Sequence, residues 1–106
     1  RRIFWTVNLV YSTKADQLKN ICKDIETYIN DSENFVQNPG QENFVRVTEL
    51  GSSSIDLTIL CYMDVIDYTQ FSQVKQELIF NIMSVVEDHK SDFAFPSRSI
   101  YIENQD

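Results

Sequence analysis

A chain of 106 residues with 42% hydrophobic and 12% aromatic residues has the size and apolar content of one folded domain, not the composition of a disordered segment. Sixteen acidic against nine basic residues give a net charge of -7, the wrong sign for neutralising phosphates, which argues against nucleic acid or an anionic lipid surface as a partner. The longest apolar runs, such as Ile3 to Trp5 and Leu57 to Met63, are interrupted or far shorter than the ~20 residues that cross a bilayer, so no direct membrane contact is expected. The chain opens at Arg1, straight into a strand pattern, and reads as a piece of something longer. Cys22 and Cys61 are too few and too isolated for a disulfide framework or a four-ligand zinc site, and read as reduced core thiols.

From Ile3 to Tyr11 the residues Ile3, Trp5, Val7, Leu9 and Tyr11 alternate with Thr6 and Asn8 between them, the two-residue period of a half-buried strand. Ser12 and Thr13 offer N-cap oxygens, with Asp16 three residues after Thr13. A helix follows to about Asn30 on the stripe Ala15, Leu18, Cys22, Ile25 and Ile29. The polar cluster from Asn30 to Asn34 ends it, Phe35 and Val36 anchor the loop, and Asn38, Pro39 and Gly40 force a turn. Phe44 to Leu50 and Ser54 to about Asp64 then read as a hairpin turning at Gly51, Ser52 and Ser53, with Ile55, Leu57, Ile59, Cys61 and Met63 on the core face and Leu60 intruding on the polar one. Asp67 is the expected N-cap of a second helix with the stripe Phe71, Val74, Leu78, Ile82, Val85 and His89, ending near Lys90. Phe95 and Pro96 lead into a last strand from Ser99 to Glu103.

The order β, α, β, β, α, β predicts an α+β, ferredoxin-like sandwich over residues 1–106. An antiparallel four-stranded sheet carries two helices on one face, and the first strand lies beside the third and the fourth. Such a fold hosts many functions, so each must be tested on residues. A phosphate cradle after the first strand would need glycines and an Arg where Tyr11, Ser12, Thr13 and Lys14 stand. Metal transfer would need two neighbouring loop thiolates, which Cys22 and Cys61 are not. RNA recognition would need basic residues and stacking aromatics where the third strand carries Asp56, Thr58 and Asp64. The only histidine, His89, falls at a helix end, where it helps finish the helix. The carboxylate pairs Glu87 with Asp88 and Asp64 with Asp67 read as a solvated face and a helix cap. No catalytic residue, cofactor site or metal site is expected.

An ordered set of residues carries a family likeness. Arg1, Arg2 and Ile3 open the first strand; Tyr11, Ser12, Thr13 and Asp16 start the first helix; Pro39 precedes the second strand. The hairpin runs Glu49, Leu50, Gly51, Ser52, Ser53, Ser54, Ile55, Asp56, Leu57; then come Asp67, Tyr68, Phe71, Lys75 and Leu78, and finally Phe95, Pro96 and Arg98. Together these resemble, over nearly the whole chain, the C-terminal cytoplasmic domain of small-conductance mechanosensitive (MscS-type) ion channels. The chain departs from that family at Ser91, Asp92, Phe93 and Ala94, where Gly and an aliphatic residue often precede the Phe-Pro pair. Cys61, Tyr62 and Met63 stand where an aromatic residue followed by Val is usual.

The resemblance implies a vestibule domain on the cytoplasmic side of the cell membrane, part of a homo-heptameric channel that releases ions and small osmolytes on osmotic downshock. Gly51, Ser53, Asp56, Phe95 and Pro96 become structural motif residues, and Tyr101 and Ile102 candidates for a subunit interface. The competing expectation is a ferredoxin-like small-molecule-sensing regulatory domain of an enzyme. The hairpin from Gly51 to Ser54 carries fewer convergent polar and glycine residues than a ligand loop of that kind would need.

Overall fold

The computed structural model describes residues 1–64 and 67–94. Their elements are β1 (Arg2–Leu9), α1 (Ala15–Asp31), β2 (Phe44–Leu50), β3 (Ile55–Tyr62) and α2 (Tyr68–Asp88). The three strands form an antiparallel sheet in the order β1-β3-β2. β3 takes the centre because it is apolar beyond simple alternation: Ile55, Leu57, Ile59 and Cys61 are buried on one face, and Thr58 is buried on the other. β1 beside β3 is the expected pairing. The expected last strand, including Phe95, Pro96, Tyr101 and Ile102, lies outside the described residues. The chain does return to the free edge of β1, where Leu9 and Phe93 form an antiparallel bridge. There the Val10 N–H donates to the Asp92 carbonyl at 3.0 Å and the Ala94 N–H to the Asn8 carbonyl at 2.9 Å.

The register sorts the sheet into two faces. Ile3, Trp5, Val7 and Leu9 of β1 lie opposite Cys61, Ile59, Leu57 and Ile55 of β3, and Val45 and Val47 of β2 join the same side. Against this face α1 buries Ile21, Ile25 and Ile29, and α2 buries Val74, Leu78, Ile82, Val85 and Val86. All but Trp5, Val7, Val47 and Ile55 belong to one core cluster, and Trp5 and Val7 pack against it half-buried. Each fully buried Ile or Leu contributes about 1.5–3 kcal/mol through removal from water.

Several boundaries differ from the sequence reading. β1 stops at Leu9, not Tyr11, because the Thr13 N–H donates to the Val10 carbonyl at 3.1 Å and closes a turn; Tyr11 is left half in solvent. Neither Ser12 nor Thr13 caps α1. Thr13 Oγ1 is engaged with the Val10 carbonyl (2.7 Å) and Ser91 Oγ (2.8 Å), and Lys14 takes the N-cap position. The α1 stripe is also rotated: Ile21 is fully buried, while Leu18 and Cys22 flank the core half-buried. β3 is shorter than expected at both ends. In the α1–β2 connection Phe35 is buried and the Val36 N–H donates to the Tyr62 carbonyl at 2.9 Å, so this pair does anchor the loop. The turn after it has Gly40 at φ 80° with the Gln41 N–H donating to the Asn38 carbonyl at 2.9 Å, a type II arrangement with Pro39 and Gly40 in the two central places.

α2 begins as expected on Asp67, whose carboxylate accepts the Thr69 N–H at 2.9 Å. Its end closes without a glycine. Lys90 adopts φ 62°, the Lys90 N–H donates to the Glu87 carbonyl and the Ser91 N–H to the Val86 carbonyl, both at 3.0 Å. This is the Schellman closure, with a lysine in the left-handed place that glycine usually fills.

Candidate functional site

The hairpin motif forms a staple from the turn and the start of β3 to β1. Asn8 Nδ2 on β1 donates to Asp56 Oδ1 at 2.7 Å and to Ser54 Oγ at 3.3 Å, and Ser54 Oγ donates to the same Asp56 oxygen at 2.6 Å. The Gly51 N–H closes the turn onto the Ser54 carbonyl at 2.7 Å. A Cβ on Gly51 would sit 3.2 Å from that carbonyl and 3.3 Å from Asp56 Oδ2, so the close approach favours glycine. On β2 the register shifts between Val47 and Glu49, and the intervening Thr48 bonds Thr58 Oγ1 at 2.8 Å. Gly51 and Asp56 therefore meet at one place, while Ser53 is exposed and stands apart from this network.

The second concentration of polar groups ties the start of α1 to the end of α2. Gln17 Nε2 donates to the His89 carbonyl at 2.6 Å, its Oε1 accepts the Lys14 N–H at 2.7 Å, and His89 Nε2 lies 2.6 Å from Asp24 Oδ2. His89 thus finishes α2 and bridges to α1 through a half-exposed carboxylate. Glu87, Asp88 and Asp64 are exposed, and Asp67 is occupied as a cap. Among the described residues no group of three His, Cys, Asp or Glu side chains could hold a metal ion.

Both thiols are poor nucleophiles. Burial pushes Cys61 up to about 12. Burial, and then the Glu26 carboxylate, push Cys22 up to about 11 against a small opposing contribution from the Val47 N–H. Tyr28 is also raised, by burial and then by Glu77. Cys22 lines an apolar groove of about 470 Å³ between α1 and β2 with Ala15, Leu18, Val45 and Val47, and with Lys19 and Arg46. Beside it the Val45 N–H donates to Glu26 Oε2 at 3.1 Å, so α1 side chains satisfy outward-facing groups on the β2 edge.

The sheet face away from the helices is where the sequence reading stopped short. Phe4, Leu60 and Phe44 lie opposite one another across three strands, and Phe4 is 58% exposed. The Arg2 guanidinium sits 5.3 Å over the Phe4 ring, and that of Arg46 4.7 Å over the Phe44 ring. Leu60 breaking the polar alternation was the only visible signal. The row emerges once the register brings its three members together.

Residues 3–93 match the family model described as "Mechanosensitive ion channel MscS, C-terminal". The chain belongs to this family. An MscS family protein of Aquifex aeolicus is 35% identical over 103 residues, covering 97% of this chain and 27% of its own length. The low conductance mechanosensitive channel YnaI of Escherichia coli is 27% identical over 64 residues, covering 60% of this chain and 19% of its own. The chain therefore spans about a quarter or less of these relatives.

Among solved structures, the closed-state crystal structure of Helicobacter pylori MscS superposes with a TM-score of 0.65 at 26% identity, covering 90% of this chain and 35% of that one. Arabidopsis thaliana MSL1, solved by cryo-EM, reaches a TM-score of 0.80 at 14% identity over 91% of this chain and 34% of that one, a likeness of fold alone. The family is one of membrane channels, and among the described residues no helix of this MscS-family chain is long and apolar enough to cross a membrane.

Proposed function

We propose that residues 1–106 form one cytoplasmic domain of a longer membrane protein, and that copies of it wall a vestibule beneath the pore of a homo-heptameric mechanosensitive channel. In this reading the channel releases ions and small osmolytes on osmotic downshock, and the domain itself catalyses nothing. The observation that carries it is the match of residues 3–93 to the C-terminal domain of the family. It is supported by the suppressed thiols and by a histidine engaged in a helix clamp. The net charge of -7 per copy adds a functional consequence: acidic residues lining the vestibule concentrate cations near its openings, within a Debye length of ~10 Å.

The test is expression of the full-length protein in cells lacking tension-gated channels. Survival of downshock and a tension-gated current in excised patches are the expected results, and loss of both would overturn the reading. Charge reversal at exposed acidic residues is expected to shift cation over anion preference. Unchanged selectivity across such reversals would remove the charge role and leave the channel role standing. A large thermal stabilisation of the domain by an amino acid or similar metabolite would favour a regulatory sensor instead.

A further inference from the structure

We infer that the open sheet face of one copy receives the outer ridge of α2 from a neighbouring copy, a head-to-tail contact; it rests on the proposed self-assembly and specifies the surfaces. Two features on opposite sides of the two-layer fold point to each other. On α2, the residues Thr69, Gln73, Gln76, Phe80, Met83 and Glu87 are all exposed. They recur every three or four positions on the side of the helix away from the buried Val74, Leu78 and Val85. Phe80 and Met83 are 55% and 51% exposed, and Glu87 is the one charged member of the ridge. A helix facing only water usually presents charged residues there.

The sheet face has the converse make-up. Its central row Phe4–Leu60–Phe44 is apolar. The rows on either side, Arg2–Tyr62 and Thr6–Thr58–Arg46, carry positive charge and no acid, within a chain of net charge -7. With both guanidinium groups stacked against the rings, the row combines apolar surface with positive charge. A row of three strands is ~10 Å wide, about the diameter of a helix. The ridge supplies the apolar counterpart and Glu87 the opposite charge for Arg46. Because the ridge and the sheet face are different surfaces on opposite sides, one copy can engage two neighbours at once. Such heterologous contacts close into rings when the rotation between copies permits.

The experiment places Phe4→Cys and Phe80→Cys together in the full-length membrane-embedded protein and treats it with a short bifunctional maleimide, the protein with only its native thiols serving as the blank. The expected result is a ladder of linked chains from the double variant and none beyond the blank from either single variant. Arg46→Glu is expected to lower the ladder yield several-fold, and Glu87→Arg in the same chain to restore it. Dimers from Phe4→Cys alone or Phe80→Cys alone would mean like surfaces meet, which overturns the contact. So would a double variant that gives no ladder while the same membranes pass tension-gated current, a result that leaves the channel reading intact. A ladder in membranes without current would overturn the channel reading and keep the contact.

Discussion

The two helices bury comparable stripes in one core, yet present opposite surfaces outward. α1 exposes Asp16, Lys19, Asn20, Lys23, Asp24 and Asp31, whereas α2 exposes Gln73, Gln76, Ile79, Phe80 and Met83 beside the acids Glu77, Glu87 and Asp88. Their ends differ as well. α2 is closed locally, by the Asp67 side chain at one end and the Lys90 turn at the other. The start of α1 is closed by Gln17 on the Lys14 N–H and is also tied to groups distant in sequence, through Gln17 with His89 and Thr13 with Ser91. The contrast teaches that α1 is a helix built to meet water and held by its neighbour. α2 has local closures at both ends, shares the His89 bonds with α1, and carries an outer face suited to a second surface.

The largest effects should fall where the helices are alike. Ile25→Ala in α1 and Leu78→Ala in α2 remove side chains with no exposed surface, and each is expected to lower stability by about 2–5 kcal/mol in denaturant titration. A cost below 1 kcal/mol for either would break the picture of one shared core.

Next comes a property that α1 has and α2 lacks, a half-buried thiol. With Cys22 raised from 9.0 to about 11, its thiolate fraction at pH 8 is about a hundredfold below that of an exposed cysteine. Labelling by an aromatic disulfide should slow accordingly and recover in urea. A folded-state value above the unfolded one means the protonated thiol is favoured by folding. Its contribution is full below about pH 9 and is lost as pH rises toward 11. Cys22→Ala should flatten that part of the alkaline profile of the urea midpoint. Equal labelling rates folded and unfolded would refute it.

The helix ends predict smaller changes. Asp67→Ala should cost about 1 kcal/mol. Gln17→Ala, which loses bonds to both the Lys14 N–H and the His89 carbonyl, should cost about 1–2 kcal/mol, because part of its bonding is tertiary. Lys90→Gly should instead stabilise the chain by about 1 kcal/mol by relieving the left-handed backbone at φ 62°; a destabilised variant would show that the lysine side chain outweighs that strain. The smallest effect belongs to the outer face of α2. Phe80→Lys should leave the folding stability of a dissociated chain within about 0.5 kcal/mol while weakening association. A large loss of folding stability would show that the ridge is packed within its own chain.

Much of this was legible in the chain because it depends on neighbours in sequence. β2, the hairpin at Gly51, the alternation of β3 and the Asp67 cap each follow from periods and turn chemistry confined to a few positions. The motif residues Gly51 and Asp56 could be singled out in sequence, but not the partner that makes them a staple, Asn8, forty-eight positions away. The cap of α1 was misread for the same reason: Thr13 is a good N-cap by type, and Ser91 and the Val10 carbonyl claim its hydroxyl. Ile21 is the other instance, since a stripe drawn through Leu18 and Cys22 fits helical spacing almost as well as one through Ile21. Only the angle at which α1 meets β2 decides between them.

By itself, then, the sequence determined the order of the first five elements and the one-sided burial of the hairpin. These are properties of composition and of periodicity along a chain. The pairing of β3 with both β1 and β2 was expected from the chain, but only the tertiary structure set the register that places Phe4, Leu60 and Phe44 in one row. It also left the α2 ridge on the opposite side of the molecule. Which residues share a surface is set by register and helix rotation, and both depend on contacts between segments that no local pattern contains.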